Sequence, residues 1–165
     1  MGLIVVNPTI HTLTFSEILF RLAAAAFFGL VIGFERQWHQ RPAGVQTTGL
    51  VATGAALFCV APLALGTTTG DPMRIVAAVV QGIGFLAGGV IIKEGLNVRG
   101  LNTAATVWAT AAIGALAGVG LVREAVVGTL AIVTLNFSFV PVAHAIDQRL
   151  ARYIEKHKPP EEPIS

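Results

Sequence analysis

Charge is scarce in this chain. Asp, Glu, Lys and Arg make up 12% of its 165 residues, against about 25% in a typical soluble domain. Such a shortage excludes an ordinary water-facing surface. Cysteine is scarcer still: Cys59 stands alone inside an apolar run, so neither a disulfide framework nor a thiol-based metal site is available. The histidines His11, His39, His144 and His157 are scattered and make no metal set. No P-loop, no His-Glu-x-x-His and no nucleophile elbow occurs, and with them go the usual signatures of ATP-driven pumping and hydrolysis. Gly82-Ile-Gly84-Phe-Leu-Ala87 has the letters of a dinucleotide fingerprint, but it sits inside a membrane-length apolar run rather than at a strand–helix turn. The chain reads as a non-enzyme with no cofactor. Its net charge of +2 does not indicate nucleic acid, because the basic groups are spread over loops and tail. Positive flanks of membrane helices account for that spread better.

What the chain has instead is apolar length: 54% hydrophobic residues, 18 glycines and a mean hydropathy of +0.73. A bilayer core of ~30 Å takes about 20 helical residues to cross. Five stretches approach that length: Phe15–Phe34, Thr47–Leu65, Ile75–Ile92, Thr103–Val122 and Ala125–Val142. Each is expected to be helical, since a lone segment in lipid must satisfy its own backbone polar groups. The predicted fold is all-α, a polytopic bundle of five transmembrane helices over residues 15–143. An extracytoplasmic segment (residues 1–14) precedes it and a short cytoplasmic tail (residues 144–165) follows. Met1 to Thr14 contains no Lys or Arg, so it does not read as a cleavable signal. The tail alternates Ile146, Leu150, Tyr153 and Ile154 with Arg149, Arg152 and Lys156, the pattern of an amphipathic extension on an anionic leaflet, before Pro159 and Pro160 end it.

Lys and Arg fall unevenly about these spans. Arg21, Arg74 and Arg123 belong to one side; Arg36, Arg41, Lys93, Arg99, Arg149, Arg152, Lys156 and Lys158 belong to the other. The richer side is expected in the cytoplasm, giving an N-out, C-in topology. Small residues recur at a spacing of four in Gly29/Gly33, Gly84/Gly88 and Gly114/Gly118. They suit close helix packing within the bundle or, alternatively, a homodimer face.

The polar residues form two belts. Glu17, Arg21, Asp71, Arg74, Arg123 and Glu124 make the outer one, where local pairs (Glu17 with Arg21, Asp71 with Arg74) compete with a role in ion entry. Arg21 lies inside the first span and is expected to snorkel or to find a carboxylate, with Asp71 the candidate. The inner belt holds Glu35, Arg36, Arg41, Lys93, Glu94 and Arg99. Here two loops resemble each other: Gly44-Val-Gln-Thr47 enters the second span and Gly100-Leu-Asn-Thr103 the fourth, each preceded by an acid and an arginine. This suggests a parallel repeat of two hairpins with a site between them. Thr47 and Thr103 are expected as helix caps, and Arg41 and Arg99 beside two helix starts would suit an anion. The alternative is that the arginines anchor the loops on lipid phosphate or on Glu35 and Glu94.

Taken together, these motifs resemble the MgtC/SapB membrane proteins. The likeness is carried by Gly29-x3-Gly33-Phe-Glu35-Arg36-Gln37, Arg41-x2-Gly44-x2-Thr47, Asp71-Pro72-x-Arg74-Ile75, Gly82-Ile-Gly84-Phe-Leu86, and Asn97-Val-Arg99-Gly-Leu-Asn102-Thr103-Ala-Ala-x2-Trp108, over roughly residues 15 to 140. Where the family usually reads Gly-Phe-Leu-Gly-Ala-Gly, this chain has Gly84-Phe-Leu-Ala-Gly-Gly89. Virulence-factor members carry a cytosolic domain after the fifth span, whereas this sequence stops soon after Lys158; that domain's role is expected to be absent or supplied elsewhere. The resemblance implies an inner-membrane protein linked to magnesium limitation and, in pathogens, to survival in macrophages. It further implies regulation through membrane partners, among them the proton-translocating ATP synthase. The family's polar positions fall here on Glu35, Arg36, Arg41, Thr47, Asp71, Arg74, Glu94, Asn97, Arg99, Asn102, Thr103 and Trp108. A Mg²⁺ transporter or channel is the alternative. The residues weigh against it: Mg²⁺ wants carboxylates or carbonyls, and the middle thirds of the five spans hold no carboxylate, only Gln81 and Asn136 as larger polar groups.

Overall fold

The computed structural model describes residues 13–65, 72–95 and 97–138. The described residues form five helices: α1 (Phe15–Trp38), α2 (Val45–Ala64), α3 (Pro72–Gly89), α4 (Leu101–Val119) and α5 (residues 122–138). Between α3 and α4 lies a small antiparallel ribbon, β1 (Ile92–Glu94) with β2 (Asn97–Arg99), in the register Ile92↔Arg99 and Glu94↔Asn97. Of the described helices, α1, α2 and α4 are long and apolar enough to cross a bilayer. The N-terminal segment before residue 13, Asp71, and the amphipathic tail lie outside the described residues, as does the end of the fifth stretch beyond residue 138.

Two boundaries differ from the sequence reading. The third helix ends at Gly89, and Ile92 opens the ribbon instead of closing a span. Arg123 and Glu124 are not in a turn: they occupy the first turn of α5, and the reversal is made by Gly120 and Leu121. Gly120, at φ 97°, ends α4 in the left-handed region that glycine adopts without strain.

α1 begins with a capping box. The Thr14 hydroxyl accepts the Glu17 amide, and Glu17 Oε2 accepts the Thr14 amide at 2.8 Å. Two turns further along α1, the Arg21 guanidinium donates to the Gly118 carbonyl at 3.0 Å. It satisfies one of the last carbonyls of α4 and places positive charge at a helix C-terminus. Arg21 thus finds a backbone partner; Asp71, the carboxylate expected for it, lies outside the described residues.

The bundle is assembled on α2, which packs against both α1 and α4, while α3 packs chiefly on α4. Glycine sets the closeness. A Cβ at Gly29 would meet the Thr48 carbonyl and Ala52, and one at Gly33 would meet the backbone of Val45. From the other side, a Cβ at Gly114 would strike the Ala52 backbone, and one at Gly118 the Ala56 backbone. Ala52 and Ala56 are fully buried between these two glycine faces. In lipid, where no hydrophobic force drives helices together, such backbone-to-backbone contact is what holds them. The glycine pair of α3 behaves differently: around Gly84 and Gly88 a Cβ would meet nothing within 4 Å.

Candidate functional site

The polar centre of the fold is the Arg36 side chain, which is fully buried in the last turn of α1. The chain reverses immediately afterwards and brings the carbonyls of Pro42 and Ala43 back over it. Arg36 Nε donates to both, at 3.0 and 3.1 Å, and Nη2 donates to Pro42 at 2.6 Å. The far side of the guanidinium reaches α4: Nη2 donates to Thr103 Oγ1 and Nη1 to Thr106 Oγ1, both at 2.9 Å. Thr106 passes its own proton to the Asn102 carbonyl at 2.9 Å. A planar fork with donors on every nitrogen is the one side chain that can tie a loop and a helix start together in this way. Arg36 is a latch between the first hairpin and the fourth helix.

The two helix starts flanking this latch are alike in one respect. Gly44 and Gly100 are the N-cap residues of α2 and α4, and neither helix has a side-chain cap. Thr47 and Thr103 therefore do not cap: each is the third residue of its helix, Thr47 exposed and Thr103 buried on Arg36. The hydroxyl next to Thr47, that of Thr48, is buried and returns to the Gly44 carbonyl at 3.1 Å. Gly100 is required by its surroundings, since φ is 89° and a Cβ would run into the Val90 carbonyl.

Beside the latch, the Glu35 carboxylate is buried with 8% exposure, and among the described residues neither oxygen has a hydrogen-bond partner. His39, one turn on, lies with Nδ1 2.9 Å from the Glu35 carbonyl and 3.4 Å from Oε1. Its ring meets that of Phe137 edge-on, which seats α5 against the end of α1.

The remaining sequence-predicted residues are distributed around this centre. Arg41 is half-buried, and its amide donates to the Arg36 carbonyl. Glu94, Asn97 and Arg99 are exposed on the ribbon, with Glu94 opposite Asn97. Asn102 and Trp108 are exposed on α4, and Arg74 is exposed near the start of α3. Arg41 lies in the loop before α2 and Arg99 on β2. The guanidinium shared by the two hairpins is that of Arg36. Thr106 was absent from the sequence-based set, although it lies three residues after Thr103 on the same helix face. Among the described residues no three of His, Cys, Asp and Glu gather as a metal group would need. The arrangement offers a polar end in which the Arg36 guanidinium is bonded to loop and helix with the Glu35 carboxylate buried beside it, and exposed charges of both signs on the ribbon.

Comparison with known proteins agrees with this architecture's motifs. The MgtC family model matches residues 22–145. An uncharacterized protein of Synechocystis, slr0014, is 50% identical over 134 residues, covering 81% of this chain and 57% of that protein. Protein MgtC of Salmonella typhimurium is 49% identical over 130 residues, 79% of this chain and 55% of the relative. Protein MgtC of Brucella abortus is 47% identical over 131 residues, with the same two shares. The chain thus spans a little over half the length of these relatives. No solved structure matches it. With its family motifs resolved into one latch, two glycine-capped helix starts and an exposed ribbon, this membrane protein belongs to the MgtC family.

Proposed function

We propose that the chain is a regulatory protein of the bacterial inner membrane that supports adaptation to low magnesium by contact with membrane partners. The proton-translocating ATP synthase is the partner implied by the family likeness, and in a pathogen the same activity would serve survival in macrophages. One observation carries this reading over ion transport. Among the described residues the carboxylates stand at helix ends and on the ribbon, as Glu17, Glu35, Glu94 and Glu124, and none stands at mid-span. An ion stripped of its water would need strong oxygen ligands at that depth. Arg41 in the loop after α1 and Lys93, Glu94 and Arg99, exposed on the ribbon, offer charges of both signs as a surface for another protein.

The test is ATP-driven proton pumping in inverted membrane vesicles with and without this chain. The proposal expects slower pumping when the chain is present, and recovery on changing Glu94 and Arg99 together to Ala. Pumping that is unaffected at matched protein levels would refute partnership with the synthase.

A further inference from the structure

α2 and α3 diverge along most of their length, and an apolar groove of about 850 Å³ opens between them. Its walls are Leu50, Gly54 and Phe58 on one side and Ile75, Gly82 and Leu86 on the other; Ala111 of α4 lines it as well. Arg74 is the one charged residue among those lining it. It stands at the end where α3 begins and, among the described residues, makes no hydrogen bond or ion pair. We propose that this groove binds one anionic phospholipid, with an acyl chain laid between α2 and α3 and the phosphate on the Arg74 guanidinium.

Three features favour that occupant. The volume falls within the ~300–1,000 Å³ of ordinary ligand pockets. From Arg74 to Leu86 the helix rises about 18 Å at ~1.5 Å per residue, close to the ~15 Å depth of one leaflet in a ~30 Å core. The charge is placed as a lipid requires: a cation at the interfacial end, aided by the positive start of α3, and apolar walls beneath it. Gly54 and Gly82 leave the groove its width, for a Cβ at either would meet nothing within 4 Å.

That last fact also supplies the test. Both glycines line the groove and the Cβ of a leucine at either would meet nothing, so Gly54→Leu and Gly82→Leu should fold while filling groove space. The purified full chain in detergent would be mixed with dioleoylphosphatidylglycerol or dioleoylphosphatidylcholine. Retained lipid would be counted by native mass spectrometry, and thermal unfolding followed in parallel. The wild type should retain one phosphatidylglycerol in preference to phosphatidylcholine by about tenfold, the equivalent of ~1.4 kcal/mol. Arg74→Gln should level that preference while still retaining lipid. Each leucine variant should lose retention of both lipids and the thermal shift they give. Equal retention of both lipids by the wild type, or leucine variants that keep phosphatidylglycerol, would overturn the proposal. So would a wild-type dimer that Gly82→Leu splits with no change in bound lipid, because the groove's occupant would then be a second copy.

Discussion

Arg36 shows what a single residue does in this fold. Its guanidinium is buried and bonded on both sides, to Pro42 and Ala43 of the loop and to Thr103 and Thr106 of α4. Hydrogen bonds to a charged group contribute about 1.5–3 kcal/mol each, and a lysine can make only some of them from one point. Arg36→Lys should therefore destabilise the protein by at least about 3 kcal/mol, read as an earlier unfolding midpoint in detergent. Arg99 is exposed on the ribbon, and Arg99→Ala should leave that midpoint within about 0.5 kcal/mol of wild type. If Arg99 belongs to a contact surface, the same change should still impair growth complementation in low magnesium. The sequence marks both residues as motif positions and sets Arg41 and Arg99 beside the two helix starts, for an anion or for lipid phosphate. Spacing along one segment could not show that Arg36, on α1, would fall between Thr103 and Thr106 of α4.

At the scale of elements, three glycine pairs that look identical in sequence have two fates. Gly29/Gly33 and Gly114/Gly118 are pressed onto α2 from opposite sides, whereas Gly84/Gly88 faces open space. Gly114→Val would force side-chain atoms into the Ala52 backbone, and overpacking of this kind costs typically 1–3 kcal/mol. Gly88→Val has room and should be tolerated within about 0.5 kcal/mol; the two variants can be compared by thermal unfolding in the same detergent. The period-four pattern was legible because it is a property of one helix. Which helix meets which pattern is set by loops that periodicity does not describe, and by the ribbon that ends α3 early at Gly89. The Thr14–Glu17 capping box was equally open to reading, since Thr-x-x-Glu before an apolar run is a known helix start. The same Glu17 carboxylate that the sequence sets one turn from Arg21 closes the cap. Thr14→Ala should cost about 1 kcal/mol, seen as lower helicity and a lower midpoint.

For the whole molecule, the account joins a helical bundle in lipid to a polar end that meets partners. The Lys and Arg count predicts which end lies in the cytoplasm. In a Cys59-free background, single cysteines at His39 and His157 should resist an impermeant thiol reagent added outside, and one at Thr68 should react. External labelling at position 157 would invert the topology. The central claim is that the bundle works by contact and does not itself carry Mg²⁺, because among the described residues its carboxylates stand at helix ends and on the ribbon and none at mid-span. The most direct test is Mg²⁺ flux into liposomes containing only the purified chain and an internal Mg²⁺-sensitive dye. The account predicts no protein-dependent, saturable signal. A saturable flux that disappears with Asp71→Asn would contradict it and make the protein a transporter.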